Sequence, residues 1–295
     1  MNTRNLRFRS NRVRDILSLF HEDLDAMYGS GEVSVFCEML FEAFLGWNEV
    51  RLLTSKEETI DQSDLLRFHW ALEDLKRYRP IQHIIGYTDF CGCRIRVTPD
   101  VLIPRPETEE LVQWIKATIH YPLPTTHFLD LCTGSGCIAI ALKKAFPQAS
   151  VAALDISGKA LDIAKRNSEN NGTEIDFIQA DILSTDCQLP TANYQLIISN
   201  PPYVMEKERA QMQRNVLDYD PSLALFVPDD DPLRFYKAIA TIAKEHLAKD
   251  GMLVVEINEV LAEETCALLR EQGFIPATHT DFRGKARWLS AVWNP

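Results

Sequence analysis

The chain has 295 residues, 46% of them apolar and 25% charged, with a formal net charge of -11. That balance belongs to a folded globular protein and excludes a mainly disordered, collagenous or low-complexity chain. No run approaches 18 consecutive apolar residues, so no membrane span is written here, and an acidic surplus repels phosphate backbones unless a local basic patch opposes it.

The length suggests two domains. The seven Cys, an odd number spread from Cys37 to Cys266, read as free thiols in a reducing compartment, and a cytoplasmic protein is expected. The first 14 residues carry five Arg (Arg4, Arg7, Arg9, Arg12, Arg14) and no acid, which leaves -16 for the remainder. This start reads as a frayed tail, with a local contact surface and a mitochondrial-type transit segment as the alternatives.

Residues 11–80 read as helices. Val13, Ile16, Leu17, Phe20 and Leu24 follow the 3.6-residue period, as do Phe36, Met39, Leu40, Ala43 and Phe44, and then Leu65, Phe68, His69, Leu72 and Leu75. His69 is expected in the core, and Pro80 is expected to end the last helix. Residues 83–97 alternate around Cys91-Gly92 as a β-hairpin would. A Pro-rich link, Thr98–Pro106, follows. Cys91-Gly92-Cys93 lacks a second Cys/His pair at ligand spacing, so no metal is expected there.

From residue 126 strands and helices alternate. Strands are predicted at 127–131, 150–155, 175–179, 194–199, 251–257, 274–281 and 287–293, and helices at 137–146, 158–171, 233–249 and 259–272. This pattern predicts an α/β fold: a mostly parallel, Rossmann-like sheet covered on both faces, whose last two strands form an antiparallel hairpin around Arg283-Gly284-Lys285.

Asp130-Leu131-Cys132-Thr133-Gly134-Ser135-Gly136 runs from a strand through a tight turn into a helix. Gly134 and Gly136 let backbone approach a ligand at a helix N-terminus, and Asp155, 21 residues after Gly134, is placed to accept ribose hydroxyls. These features suit both a dinucleotide and S-adenosylmethionine, and a ligand-free turn is the bland alternative. Charge favours S-adenosylmethionine: Asp130 repels a pyrophosphate but attracts an ammonium and a sulfonium. Asp181 is then expected to bond the adenine amino group and Ile182 to pack on its ring, although Asp181 alone would serve equally as a surface acid.

The fourth predicted strand runs into Asn200-Pro201-Pro202-Tyr203. A planar NH2 is a poor nucleophile because its lone pair is delocalised. Methylating it requires acceptors that hold both N–H groups and aim the lone pair. The Asn200 side-chain carbonyl and the Pro201 carbonyl are two such acceptors, the prolines stiffen the segment, and Tyr203 can stack on the planar group.

These residues carry a resemblance. With Pro80–Gly86, Leu102-Ile103-Pro104-Arg105-Pro106-Glu107-Thr108-Glu109, Asp220–Leu225 and Glu256-Ile257, the chain resembles the release factor glutamine methyltransferases, the PrmC or HemK family, over nearly its whole length. The resemblance implies a class I S-adenosylmethionine-dependent sheet, with methylation at N5 of the glutamine in the Gly-Gly-Gln loop of peptide chain release factors. It implies a substrate-recognising helical domain at 1–82, a hairpin and linker at 83–106 and a methyltransferase domain at 107–295. Asp130, Cys132–Gly136, Asp155, Asp181, Ile182 and Asn200 would hold the cofactor. Asn200–Tyr203, Arg105 and Glu107 would hold the substrate, Arg105 and Glu107 having a surface ion pair as their bland reading. Release factors are the expected partners, met transiently by a monomer, with no stable nucleic acid and no membrane. The alternative reading is an adenine or guanine amino-methyltransferase, and a non-catalytic binder is a third.

Three residues depart from the family pattern. Cys132 stands where Gly is usual. Asp220 replaces a Glu, which shortens that acid's reach. Asn258 replaces a Gly, with tolerance of positive φ as the expected reason.

Overall fold

The computed structural model of the protein describes residues 7–119, 126–185, 187, 189–190 and 193–293. Two compact units are distinguished: one runs to Gly86 and takes in Gln213–Tyr219, and the other comprises Tyr87–Met212 and the chain from Asp220 onward. Among the described residues no helix is long and apolar enough to cross a membrane.

The first unit is helical, with α1 (Val13–Tyr28), α2 (Ser30–Leu45), α3 (Glu49–Thr54), α4 (Gln62–Leu75) and α5 (Ile81–Ile85). The periodic stripes are its buried faces: Val13, Ile16, Phe20 and Leu24 on α1, Phe36 and Leu40 on α2, and Leu65, Phe68 and Leu72 on α4. The Phe68 ring meets Phe20, Phe41 and Phe44 with centroids 6.3, 4.5 and 5.3 Å away.

Three expectations for this unit are corrected. His69 is only half-buried and lies against the exposed Trp70 ring. Pro80 begins a helix instead of ending one: α4 stops at Leu75, the chain turns through Tyr78 at φ 63, and Pro80 stands at the N-terminus of α5. The Arg-rich start is not frayed from Arg7 onward. Arg7 pairs with Asp23 at 2.6 Å, Arg9 with Glu22 at 3.1 Å, and Arg12 and Arg14 with Glu57 at 3.4 and 2.8 Å. Such exposed pairs contribute little individually. The backbone bonds from Val13 N to Glu58 O and from Ile60 N to Asn11 O, both 3.0 Å, tie the segment down. Arg4 lies outside the described residues. Distant sequence also joins this unit through α9 (Arg214–Leu217): the Tyr219 hydroxyl donates to Arg77 O at 2.9 Å.

The second unit opens with a hairpin of β1 (Tyr87–Phe90) and β2 (Cys93–Arg96), followed by α6 (Pro106–Thr118). The hairpin is shorter than predicted because α5 takes up residues as far as Ile85. Helix α6 was not expected. The last proline of the supposed link is its first residue, where a missing N–H costs nothing, and Glu107 and Glu109 complement the helix dipole in the first turn. Then come β3 (His127–Leu131), α7 (Cys137–Ala145), β4 (Ser150–Asp155), α8 (Gly158–Asn170), β5 (Asp176–Gln179) and β6 (Tyr194–Ser199). A small pair, β7 (Val204–Met205) and β8 (Phe226–Val227), precedes α10 (Arg234–His246), β9 (Leu247–Glu256), α11 (Ala262–Glu271), β10 (Phe274–Thr280) and β11 (Ala286–Trp293). The helix predicted to reach 249 ends at His246, because Leu247 already pairs with Tyr194 in the sheet.

The seven-stranded sheet has the order β10-β11-β9-β6-β3-β4-β5. It is the predicted Rossmann-like sheet, parallel from β9 to β5. The antiparallel strand β11, last in sequence, is inserted between β9 and β10. Alternate strand residues enter opposite cores. Phe128, Leu196 and Ile198 join α6 and α7 on one face, and Leu129, Ile197 and Leu253 join α10 and α11 on the other. The strand order turns back at β3, between β4 and β6. Their carboxyl ends therefore open a crevice, the usual ligand position in open α/β sheets.

Candidate active site

The loop after β3 carries three left-handed residues, Cys132 at φ 60, Gly134 at φ 54 and Gly136 at φ 81. A Cβ at Gly136 would stand 3.0 Å from the Ala164 Cβ, so α7 packs against α8 only with glycine there. Cys132 occupies a conformation that favours glycine, at a cost of about 1 kcal/mol. Asp155, at the end of β4, accepts from Gly134 N–H at 2.8 Å and Ser157 N–H at 2.9 Å, and so pins the loop. Burial raises its proton affinity, against those N–H groups. Asn167 closes the loop from behind, donating to Ser135 O at 2.9 Å and exchanging bonds with the Arg96 backbone.

Asp130 is wholly buried beneath the loop and is not part of the cavity lining. The Thr133 hydroxyl donates to it at 2.6 Å. Burial pushes its pKa up to about 7, which disfavours the charged form. The expected attraction between Asp130 and a cationic ligand is weakened accordingly.

At the end of β6, Ser199 Oγ donates to Leu131 O at 2.7 Å and holds the two strand ends together. The next residue, Asn200, donates from Nδ2 to Thr108 Oγ1 at 3.2 Å. Thr108 donates to Glu256 Oε2 at 2.7 Å, and the Tyr203 hydroxyl donates to Glu256 Oε1 at 2.9 Å. Glu256 is buried at the end of β9. Burial raises its proton affinity, while the two hydroxyl bonds lower it. Tyr203 is thus turned toward Glu256, and its phenol is held well above the usual range by burial and by that carboxylate. Asn258 has φ -69, so positive φ is not the reason for its presence. It accepts from Val260 N–H at 3.1 Å and donates to Tyr203 O at 3.2 Å, bracing the end of the Asn200 segment.

A cavity of about 290 Å³ lies over these strand ends. Cys132–Ser135, Asp155, Asp181, Ile182, Asn200, Pro202 and Arg105 all line it. Asp130, Gly136, Glu107, Pro201 and Tyr203 do not. Asp181 accepts from Leu183 N–H at 2.9 Å, and Ile182 is buried. Arg105 pairs with Asp220 at 2.5 Å, so the shorter acid still reaches its partner. Sequence reasoning missed Asp100–Leu102, Thr108, Leu223, Ala224 and Phe235, which also line the cavity. Thr108 sits inside the motif quoted above, but its role depends on Glu256, 148 residues away.

The lining is mainly apolar, with three carboxylates (Asp100, Asp155, Asp181) and one guanidinium already paired. Such a surface suits a nucleoside bearing positive charge and disfavours a pyrophosphate. Asp155 keeps lone pairs for a vicinal diol after its two N–H bonds.

Residues 107–218 match the Methyltransferase small domain family, and residues 24–86 match the PrmC N-terminal domain. The release factor glutamine methyltransferase of Flavobacterium psychrophilum is 41% identical over 280 residues, covering 94% of this chain and 98% of that protein. Its counterpart from Bacteroides thetaiotaomicron is 38% identical over 277 residues, covering 94% and 98%. A solved methyltransferase from Pyrococcus furiosus shares the fold, with a TM-score of 0.50 at 17% identity over 68% of this chain and 88% of that one.

Proposed function

The chain belongs to the release factor glutamine methyltransferase family, and on that premise we propose that it methylates N5 of the glutamine in the Gly-Gly-Gln motif of peptide chain release factors. The fold is that of a class I methyltransferase with an N-terminal helical region. The observation that carries the reading is the position of Asn200. It lines the cavity at the end of β6 with its NH2 committed to Thr108, which leaves its carbonyl as the free acceptor.

In this reading Cys132–Ser135, Asp155, Asp181 and Ile182 hold S-adenosylmethionine, which when bound supplies an electrophilic methyl on a sulfonium. Asp155 takes the ribose hydroxyls, and Ile182 and Leu154 face the base. The Asn200 carbonyl and the Pro201 carbonyl each accept one N–H of the substrate amide, which turns the nitrogen lone pair toward the methyl. Orientation and exclusion of water are worth on the order of several kcal/mol in such a site. No strong base is needed, because an N-methylated amide cation sheds its proton readily. Tyr203, bonded to Glu256, serves to stiffen the segment rather than to stack on the substrate. We assign release factor recognition to the helical residues 1–82, the link to 83–106 and the chemistry to 107–295, in a monomer acting in the cytoplasm.

The test is intact-mass measurement of a purified release factor before and after incubation with S-adenosylmethionine. One added methyl is expected, and none on a factor whose motif glutamine is changed to Ala. Transfer of label to RNA or DNA but not to the factor would reverse the assignment.

A further inference from the structure

The buried Glu256 carboxyl group accepts one hydroxyl hydrogen bond on each of its two oxygens. It takes the single hydroxyl proton of Thr108 at 2.7 Å on one oxygen and that of Tyr203 at 2.9 Å on the other. With its proton committed, Thr108 Oγ1 can only accept on its remaining side. The side-chain atom of Asn200 that faces it at 3.2 Å must therefore be the donor, Nδ2. Thr108 is 2% and Glu256 2% exposed, so water does not compete for these bonds.

We propose that Thr108, polarised by Glu256, is a positioning residue that sets which way round the Asn200 amide sits and thereby makes the site specific for an NH2 donor. The proposal deepens the methyltransferase reading above and rests on it. An Asn side chain is nearly symmetric in shape, and its two ends differ only in hydrogen-bond character. Flipped, it would present NH2 to the substrate NH2, donor against donor. Held as it is, it presents a carbonyl, which accepts from a glutamine amide and repels the carboxylate of a glutamate in the same place. The specificity for a planar amide is thus built three residues deep, from β9 through α6 to the end of β6.

Thr108→Val and Thr108→Ser separate a hydrogen-bonding role from a packing role. Valine keeps the shape and loses the hydroxyl, while serine keeps the hydroxyl and loses a methyl. Thr108→Val is expected to lower kcat toward the release factor by about 10- to 100-fold with S-adenosylmethionine affinity within twofold of wild type. Thr108→Ser is expected to recover kcat to within a few-fold of wild type. The Asn200 side-chain NH2 signals, assigned by their loss in Asn200→Ala, read the orientation directly by nitrogen-15 NMR without any substrate. They are expected to be protected from exchange in wild type and Thr108→Ser and unprotected in Thr108→Val. A Thr108→Val enzyme with unchanged kcat, a serine variant as impaired as the valine one, or NH2 protection that survives in Thr108→Val would overturn the proposal. A wild-type protein with protected NH2 signals that never methylates a release factor would instead remove the substrate reading and leave the orientation intact.

Discussion

Replacing Arg105 with Met exposes the energetics of the cavity wall. The Asp220 side chain is 1% exposed and that of Arg105 33%, and they pair at 2.5 Å. Removing one partner of a buried pair costs about 3–5 kcal/mol, because the remaining charge is left without compensation. Water reaches the open side of Arg105, so the lower end, about 3 kcal/mol, is expected at pH 8. For a unit of this size that corresponds to a fall in Tm of about 6–12 °C. The loss depends on pH. Burial already raises the Asp220 proton affinity, with Arg105 and the Ile103 N–H opposing it, and deleting Arg105 raises it further. An acid whose affinity is raised in the folded state is held protonated where the unfolded chain has ionised. Stability is then lost as pH climbs from the ordinary carboxylate range through the raised value. The gap between wild type and Arg105→Met should therefore be widest at pH 8 and shrink as pH falls toward that range. Adding Asp220→Asn should restore most of the pH 8 loss, since the amide oxygen still accepts from Ile103. Thermal melts of the three proteins between pH 5 and 8 decide the matter. A gap that stays constant across that range, or no loss at pH 8, would refute the reasoning.

Three further outcomes are expected. Asn200→Ala should bind S-adenosylmethionine within twofold of wild type by calorimetry and lose turnover by about 100-fold or more, the scale of one misplaced reacting group. Asp155→Ala removes the acceptor of the Gly134 and Ser157 N–H groups and, in the proposed reading, that of the ribose, and should weaken S-adenosylmethionine binding by about 10- to 100-fold in the same titration. Gly136→Ala combines φ 81 with a Cβ 3.0 Å from the Ala164 Cβ, and should cost about 2 kcal/mol in urea unfolding. A value near zero would mean that α7 and α8 can part without loss.

Locally encoded features were legible in the chain itself. The apolar period of 3.6 marked the buried faces of α1, α2 and α4, and the short, nearly continuous apolar runs Phe128–Leu131 and Leu196–Ser199 marked strands with two covered faces. The glycine loop and the Asn200 segment announced themselves because close backbone approach and a stiffened strand end demand particular residue types at adjacent positions. Helix α6 was hidden by its own first residue. Proline ends a helix from inside and starts one from N1, and local sequence does not say which.

What local sequence could not carry was every decision made by partners far apart in the chain. Thr108 meets Glu256 across 148 positions, Arg105 meets Asp220 across 115, and Tyr219 returns to Arg77 across 142. The Arg-rich start looked unanchored because the groups that tie it down include Glu57, Glu58 and Ile60, far along the chain. Asp130 read as a charge offered to a ligand, and only the tertiary structure buries it under the loop, out of the cavity wall and with its proton affinity raised. The residue types proposed to perform the chemistry are thus written in short motifs. Their charge states and the orientation of the Asn200 amide arise from burial and donor–acceptor matching, which exist only once the strands are side by side.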